Sequence, residues 1–372
     1  MSNPIYLDYN ATAPVKPGVV EVMANALASV GNPSSVHAAG RAARKRLSHA
    51  REQVAALVGA SPDSVVFTSG GTEANNQALQ GGGEVATSAI EHPSVLALAD
   101  EGCIAPVDAD GVIDLEALND LLRRQRPAKL AVMMANNETG VIQPVKDVAA
   151  IAREAGVSLH VDAIQAAGKI PLDFLELGAD TLSLSAHKIG GPQGVGALIV
   201  RPGFELPALL KGGAQEGRRR PGTENLPGIV GFGEALALAL NDNGFDKRVV
   251  ALRDRLEASV LDLTPDIKIA GQRAPRLPNT SCLIVPGLSH ETQLIHFDLA
   301  GIAVSAGSAC SSGKIGPSSV LTAMGLSADD AVSAIRVSFG WNSSDRDVDC
   351  FANAFHELRG RSQRLKSNKV RV

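Results

Sequence analysis

Lys188 lies in a segment whose residue types suit chemistry on a bound ligand. The stretch LSLSAHKIGGPQGVGALIV, residues 182–200, places His187 and Lys188 after an apolar run and ahead of four glycines. Because open α/β sheets bind ligands beyond the carboxyl ends of their strands, Lys188 is expected at such a site. A lysine in a dry pocket loses its charge readily and becomes nucleophilic towards aldehydes. The glycines predict close approach of a flat, anionic ligand, although an ordinary surface lysine in a turn also fits this pattern.

A second candidate is the strand-to-helix turn in VFTSGGTEANN, residues 66–76. An apolar strand is predicted to end there, and a helix is predicted to begin around Gly71 and Thr72. Backbone N–H groups and the positive end of a helix dipole together form an anion-binding site, which suits a phosphate. Thr72 also fits a simple helix N-cap, with Glu73 in the first turn.

An acid and an imidazole follow two other predicted strands. Asp162 ends the apolar part of LHVDAIQAAG, where a carboxylate needs a cation or an N–H donor. The ring nitrogen of a heteroaromatic cofactor is such a partner, and Asp162 would keep it protonated so that the ring withdraws electrons. His92 in IEHPSV fits a proton shuttle stacked on a flat cofactor. The simpler alternatives are a helix N-cap for Asp162 and an ordinary core histidine for His92.

The four cysteines of the chain are far apart in sequence and differ in their neighbours. Cys310 lies among small residues in SAGSACSSG, whereas Cys282 has bulky apolar neighbours in NTSCLIV. A thiol in an open loop acts as a nucleophile when its surroundings favour the thiolate, so Cys310 is the candidate. The absence of any CxxC pair argues against a zinc site and a disulfide framework, and it fits a reducing cytosol.

The bulk composition is that of a globular enzyme with two domains. The chain has 372 residues, 45% hydrophobic residues and a formal net charge of −4. The length suggests two domains, and the charge gives no indication of binding to nucleic acid or to an anionic membrane. No apolar run is long enough for a membrane span, and the N-terminal residues do not form a secretory signal. The predicted location is therefore the cytoplasm.

The predicted elements place these candidates at the edge of one sheet. From about residue 37, apolar strands alternate with amphipathic helices, which predicts an α/β fold with a mostly parallel sheet covered on both faces. After Pro227 the strands become fewer, which predicts a smaller α+β domain. We assign residues 16–250 to the large domain and residues 251–372 to the small domain. The N-terminal arm, residues 1–15, fits either domain by its sequence, and we group it with the small one.

Taken in order, the motifs resemble one family over nearly the whole chain. They are YLDYNATAP, GNPSSVH, VFTSGGTEANN, EHPSV, NNETGV, HVDAIQAAGK, SAHKIGGPQGVGAL, RRRPGTEN, GSACSSG and IRVSFG. Together they resemble the cysteine desulfurases, which are pyridoxal-phosphate enzymes of the class V aminotransferase group with the fold-type I architecture. The stretch EGRRRPGTENLPGIVGFGEAL is most similar to the nitrogen-fixation type.

The resemblance implies a role for each motif residue. Lys188 would hold pyridoxal 5′-phosphate as a Schiff base, and Cys310 would attack the sulfur of the substrate. His92 would stack on the cofactor ring and exchange protons with the substrate thiol. The remaining implied contacts are Asp162 to the pyridine nitrogen, Gln165 to the ring hydroxyl, Gly71, Thr72, Ser185 and His187 to the phosphate, Thr223 to the phosphate from a second subunit, and Asn137 and Arg336 to the substrate carboxylate.

The implied reaction converts L-cysteine to L-alanine and leaves a persulfide on Cys310. The resemblance also implies a homodimer and a sulfur-acceptor protein such as an iron–sulfur scaffold. A class V aminotransferase and a selenocysteine lyase are the alternatives among enzymes, and neither is separated from a desulfurase by the cofactor residues. A catalytically silent scaffold for sulfur carriers would be expected to lack Lys188 or Cys310, and both are present.

Overall fold

The computed structural model describes residues 4–242, 245–307 and 316–369. A seven-stranded sheet forms its centre, with the strand order β2-β8-β7-β6-β5-β3-β4. The strands are β2 (Val65–Thr68), β3 (Val85–Ser88), β4 (Ile104–Ala105), β5 (Lys129–Met133), β6 (Ser158–Asp162), β7 (Thr181–Ser185) and β8 (Gly196–Val200). β3 to β7 pair in parallel, whereas β8 runs antiparallel to both β2 and β7.

The helices that follow the strands cover this sheet, as the alternating pattern predicts. They are α1 (Pro17–Leu27), α2 (Ala38–Leu57), α3 (Gly71–Leu79), α4 (Pro93–Leu96), α5 (Leu115–Gln125), α6 (Val145–Ala155), α7 (Phe174–Leu177) and α8 (Leu226–Leu240). The ends of these helices follow local capping rules, since Asp114 accepts from the N–H groups at the start of α5 and Gly156 ends α6 in the left-handed conformation. One hydrophobic core extends from Val54 in α2 through Leu184 in β7 to Phe232 in α8.

A second hydrophobic core lies under a smaller antiparallel sheet with the order β12-β13-β10-β9. The remaining elements are β1 (Ile5–Tyr6), α9 (Phe245–Leu263), β9 (Lys268–Ile269), β10 (Thr280–Ile284), α10 (His290–Leu299), β11 (Ile302–Ala303), β12 (Ser305–Ala306), α11 (Ser319–Ala323), α12 (Ala328–Ala331), β13 (Ala334–Ser338) and α13 (Asp345–Lys369). The rings of Phe297, Phe351 and Phe355 stack in its centre, with the first two centroids 4.6 Å apart.

The N-terminal arm joins the second core, because β1 pairs with β11 and Leu7 is fully buried there. The predicted domain boundary after residue 250 falls inside α9, and the two-domain division stays a prediction that rests on these two cores. Residues 226–263 form two separate helices, α8 and α9. Among the residues that the structure describes, none of the helices is both long and apolar enough to cross a bilayer.

Candidate active site

A cavity of about 330 Å³ opens at the carboxyl edge of the parallel strands. Nine of the predicted site residues line it, although they come from distant parts of the chain: Gly71, Thr72, His92, Asn137, Asp162, Gln165, Ser185, His187 and Lys188. The cavity volume lies within the range of about 300–1,000 Å³ that small-molecule sites occupy. The remaining walls include Asn10, Ala11 and Met133. The structure therefore brings these nine residues together at one edge of the sheet, and their roles stay predictions.

Lys188 is held in the short connection between β7 and β8. Its Nζ donates to the backbone carbonyls of Asn10, at 2.6 Å, and Ala11, at 2.9 Å. The four glycines that follow Lys188 do not line the cavity, so the predicted close approach of a ligand to them is wrong. A Cβ on Gly196 would come within 2.8 Å of the Gly70 backbone, so a glycine there lets β8 pack against the turn that precedes α3.

The start of α3 and the end of β7 form an anion-binding wall. Gly70 is the N-cap of α3 and has no side chain to bond the first N–H groups of the helix, which leaves a suitable site for a phosphate. The N-cap alternative for Thr72 is therefore wrong, because Thr72 is already inside the helix. Burial and the neighbouring Lys188 charge lower the pKa of His187 to about 4, so that this imidazole is a neutral hydrogen-bond partner at neutral pH.

Asp162 is fixed at the end of β6 by two donors. Its Oδ2 accepts from Asn75 Nδ2 at 2.8 Å, and its Oδ1 accepts from the Ile164 N–H at 3.0 Å. Burial lowers the pKa of His160 to about 3, so its neutral ring can donate through Nε2 to Asn75 Oδ1. This contact orients the Asn75 amide so that its NH₂ group faces Asp162. No helix begins at Asp162, and the N-cap alternative is wrong there as well.

His92 caps the short helix α4 and lines the cavity, so it is not an ordinary core histidine. Its Nδ1 accepts from the Ser94 N–H at 3.1 Å. Burial lowers the pKa of this imidazole, Lys188 lowers it further, and Asp162 opposes both effects. The preceding Glu91 is buried beneath the site, where it accepts from Ser88 and from the Met133 N–H. Burial raises the pKa of Glu91 to about 8.

Gln165 and Arg336 are held by other protein groups. Gln165 lines the cavity, but its Nε2 donates to the Asn10 carbonyl at 2.9 Å. Arg336 is 1% exposed and does not line the cavity. Its Nη2 donates to Asp8 Oδ1 at 2.7 Å and its Nη1 to the Asn137 carbonyl at 3.0 Å, while its buried Nε has no partner among the described residues. Asn137 therefore links the guanidinium to the cavity.

Besides Arg336, the described residue Thr223 does not line this cavity. Thr223 is exposed and borders a separate cavity of about 180 Å³ next to Ser69, so its predicted contact from a second subunit stays a prediction. Cys310 lies outside the described residues. Three further residues near the site have no role predicted from the sequence, although the motifs YLDYNATAP, VFTSGGTEANN and HVDAIQAAGK contain them: Asn10, Asn75 and His160. Their contacts cross long sequence separations, which periodicity does not show.

Comparison with known proteins identifies the family. The profile of Aminotransferase class-V matches residues 5–351. The chain is 44% identical to a cysteine desulfurase from Sinorhizobium fredii, covering 93% of this chain and 94% of that protein. It is 40% identical to the cysteine desulfurase IscS from Dictyoglomus turgidum, covering 94% and 92%.

Solved structures agree with the sequence relatives. A NifS-like protein from Rickettsia africae superposes with a TM-score of 0.90 at 35% identity, covering 96% of this chain and all of that one. The protein SspA in complex with cysteine superposes with a TM-score of 0.79 at 32% identity, covering 90% and 98%. The fold prediction is thereby confirmed. The chain belongs to the class-V aminotransferase family and, within it, to the cysteine desulfurases.

Proposed function

We propose that this protein is a pyridoxal-phosphate-dependent cysteine desulfurase that converts L-cysteine to L-alanine and holds the sulfur as a persulfide on Cys310. The observation that carries the proposal is the convergence of Lys188, Asp162 and the start of α3 on one cavity. The three supply an amine, a carboxylate and an anion-binding helix end on different walls. The cysteine desulfurase relatives support the same activity.

The donor set of the cavity fits pyridoxal 5′-phosphate. Lys188 provides the amine for the aldehyde, and Thr72, Ser185 and His187 line the wall that suits the phosphate. Asp162 has only two of its roughly four acceptor positions occupied, which leaves capacity for the protonated ring nitrogen. When bound, this cofactor supplies an electron sink for the carbanion at the substrate α-carbon.

The residues of the chain would then bind the substrate and move its protons. Arg336 Nε is a buried donor without a partner in the part of the chain that the structure describes, and Asn137 lies between this guanidinium and the cavity, so the pair suits the substrate carboxylate. Lys188 Nζ would take the α-proton. His92 would be largely neutral at neutral pH, because its pKa is lowered, and it would accept or return the proton of the substrate thiol.

The sulfur transfer balances without an external oxidant. The substrate C–S bond breaks, a bond forms between the Cys310 sulfur and the substrate sulfur, and the products are L-alanine and a persulfide. Cys103 and Cys282 are poorer candidates, because both are buried and burial raises the pKa of both thiols. Cys350 is partly buried against the second hydrophobic core. The assignment to Cys310 rests on the sequence resemblance.

The finer parts of the proposal concern partners and location. We infer that a homodimer brings Thr223 of one subunit to the phosphate of the other, and that a protein acceptor such as an iron–sulfur scaffold removes the persulfide in the cytoplasm. The exposure of Thr223 beside the basic residues 218–220 supports a role for this loop between subunits.

The test is an anaerobic assay for L-alanine with mass spectrometry of the protein after addition of L-cysteine. One extra sulfur atom on the peptide that contains Cys310, together with L-alanine, is expected. Cys310→Ala should keep the yellow cofactor and lose the persulfide, while the control Cys350→Ala should keep both. Alanine formation with the parental sulfide yield in Cys310→Ala would contradict the assignment. Amino transfer to a keto acid without any sulfide would identify an aminotransferase instead.

A further inference from the structure

Asn10 is buried at the junction of both halves of the site and is 1% exposed. Its carbonyl accepts from Lys188 Nζ at 2.6 Å and from Gln165 Nε2 at 2.9 Å. Its own N–H donates to Ser338 Oγ at 3.0 Å, on the strand β13 of the smaller sheet. The backbone of Asn10 thus joins the amine of the cavity to the smaller sheet.

The side chain of Asn10 continues this connection. Its Nδ2 donates to Thr280 Oγ1 at 2.8 Å and to the Asn137 carbonyl at 3.3 Å. The same Asn137 carbonyl accepts from Arg336 Nη1. The Oδ1 atom of Asn10 accepts from Asn279 Nδ2 at 3.1 Å. An Asn10 amide turned the other way would place its NH₂ group against the Asn279 donor and its oxygen against the Asn137 carbonyl.

Lys169 completes the network from the opposite side. Its Nζ donates to Asn10 Oδ1 and to Gln165 Oε1, both at 2.8 Å. Lys169 is buried and does not line the cavity of about 330 Å³, so it has no direct access to a ligand in that cavity. It lines, together with Lys188, a separate cavity of only about 30 Å³. The buried Lys169 side chain therefore fixes the amide groups of Asn10 and Gln165. The Asn10 carbonyl accepts from Lys188, and Gln165 donates to that same carbonyl.

We propose that Asn10 is a positioning residue that holds the Lys188 amine and the Asn137–Arg336 pair at a fixed separation, and that Lys169 fixes the face of the Asn10 amide. The inference rests on the proposed roles of Lys188 and Arg336 in turnover. Beyond those roles, the distance between the Lys188 amine and the Arg336 guanidinium is fixed by one asparagine, Asn10. Neither Asn10 nor Lys169 takes part in a bond-making step.

The test uses the holoenzyme with Asn10→Asp, which keeps the volume and the acceptor towards Lys169. The change removes the two Nδ2 donations and places a carboxylate oxygen against the Asn137 carbonyl. Two readouts besides turnover apply: the pH titration of the cofactor absorption band, which reports the Lys188 amine, and the dissociation constant of L-alanine, which reports the carboxylate site. We expect the titration to shift by about one pH unit and L-alanine to bind about tenfold more weakly, because the variant leaves buried hydrogen-bond partners unsatisfied.

Gln293→Met is the matched control. Gln293 is a fully buried amide that donates to the carbonyls of Leu288 and Ser333, away from the cavity. The Gln293→Met variant should have a lower melting temperature, with the parental cofactor titration and the parental dissociation constant of L-alanine. Lys169→Met should move both readouts in the same direction as Asn10→Asp by a smaller amount, and the effects of the two changes should be non-additive in the double variant.

Parental titration and parental L-alanine binding in Asn10→Asp would overturn the proposal. If Asn10→Asp does not fold, Lys169→Met decides in its place, because parental values there would equally overturn it. Failure of the proposed function is distinguishable from failure of this inference. If the parent protein binds the cofactor and L-alanine yet forms no persulfide, the proposed desulfurase activity is contradicted. The titration of the cofactor band and the binding of L-alanine would still test the role of Asn10.

Discussion

The seven-stranded sheet and the smaller sheet contribute to the site in different ways. On the first side, Asp162 and Lys188 follow directly from the ends of β6 and β7 and line the cavity. On the second side, Arg336 lies inside β13, paired with Asp8 and separated from the cavity by Asn137. The proposed cofactor side is thus built from strand ends, whereas the proposed substrate side is built from polar contacts between distant segments. Substitutions at the strand ends should therefore lower kcat strongly. Substitutions on the side of the smaller sheet should weaken substrate binding more than they lower kcat.

The largest effect that this comparison predicts is for Lys188→Ala. Loss of the amine removes both the cofactor attachment and the proton acceptor, so kcat should fall by at least about 10³-fold. Borohydride reduction and peptide mass spectrometry of the parent should locate the cofactor on Lys188. The exposed Lys146, which pairs with Glu176, provides the control, and Lys146→Ala should keep parental turnover. A reduced cofactor found on another lysine would contradict the assignment of the whole sheet edge.

Asp162→Asn should have the next largest effect. An amide cannot keep a ring nitrogen protonated, so kcat should fall by about 10²-fold while KM for L-cysteine changes little. Asp180 is the matched control, because it lies at the other end of β7 and accepts from the Leu159 N–H and from Arg201. Asp180→Asn should reduce stability and leave kcat intact. Equal kcat losses in both variants would show that the strand end is structural.

Arg336→Lys tests the side of the smaller sheet. Lysine lacks the planar fork of the guanidinium, so KM for L-cysteine should rise about tenfold with a smaller change in kcat. Arg276 forms a similarly buried pair with Glu257 and is the matched control. In Arg276→Lys, steady-state kinetics should show a parental KM. A kcat loss without any KM change in Arg336→Lys would show that the two sides of the site do not differ as described.

The smallest effect concerns Glu91 beneath His92. Its pKa is raised to about 8 in the folded state, so the folded protein binds a proton that the unfolded chain, with a pKa near 4.5, releases. This contribution to stability is full below about pH 4.5 and is lost as the pH rises through about 8. Glu91→Gln mimics the neutral acid, so it should stabilise the protein relative to the parent more at pH 8.5 than at pH 5.5, by about 1 kcal/mol or more. Denaturant titrations at both pH values measure the difference, and equal differences would refute the protonated state of Glu91.

The sequence predicts well where Asp162 and Lys188 lie relative to the strand ends, because local patterns carry this information. An apolar strand followed by a polar residue fixes both the position of Asp162 and the edge at which it lies. The direction of β8 is not predictable in this way, because a buried strand has the same apolar run whether it pairs in parallel or antiparallel. The family resemblance gave the residues around the cavity but no role for Asn10. That role depends on contacts with Lys188 and Asn279, 178 and 269 residues away, which only the folded chain brings together.

The reversed direction of β8 also determines where this protein can be engineered. Because β8 returns from the cavity over five residues, residues 201–203 lie about 17 Å from the Lys188 end of the sheet. These three residues are exposed, and Gly203 has open space around it. A peptide tag or a fluorescent label inserted at this turn would therefore lie at the edge of the sheet opposite to the cavity. The same insertion in residues 189–195 would displace the Lys188 amine.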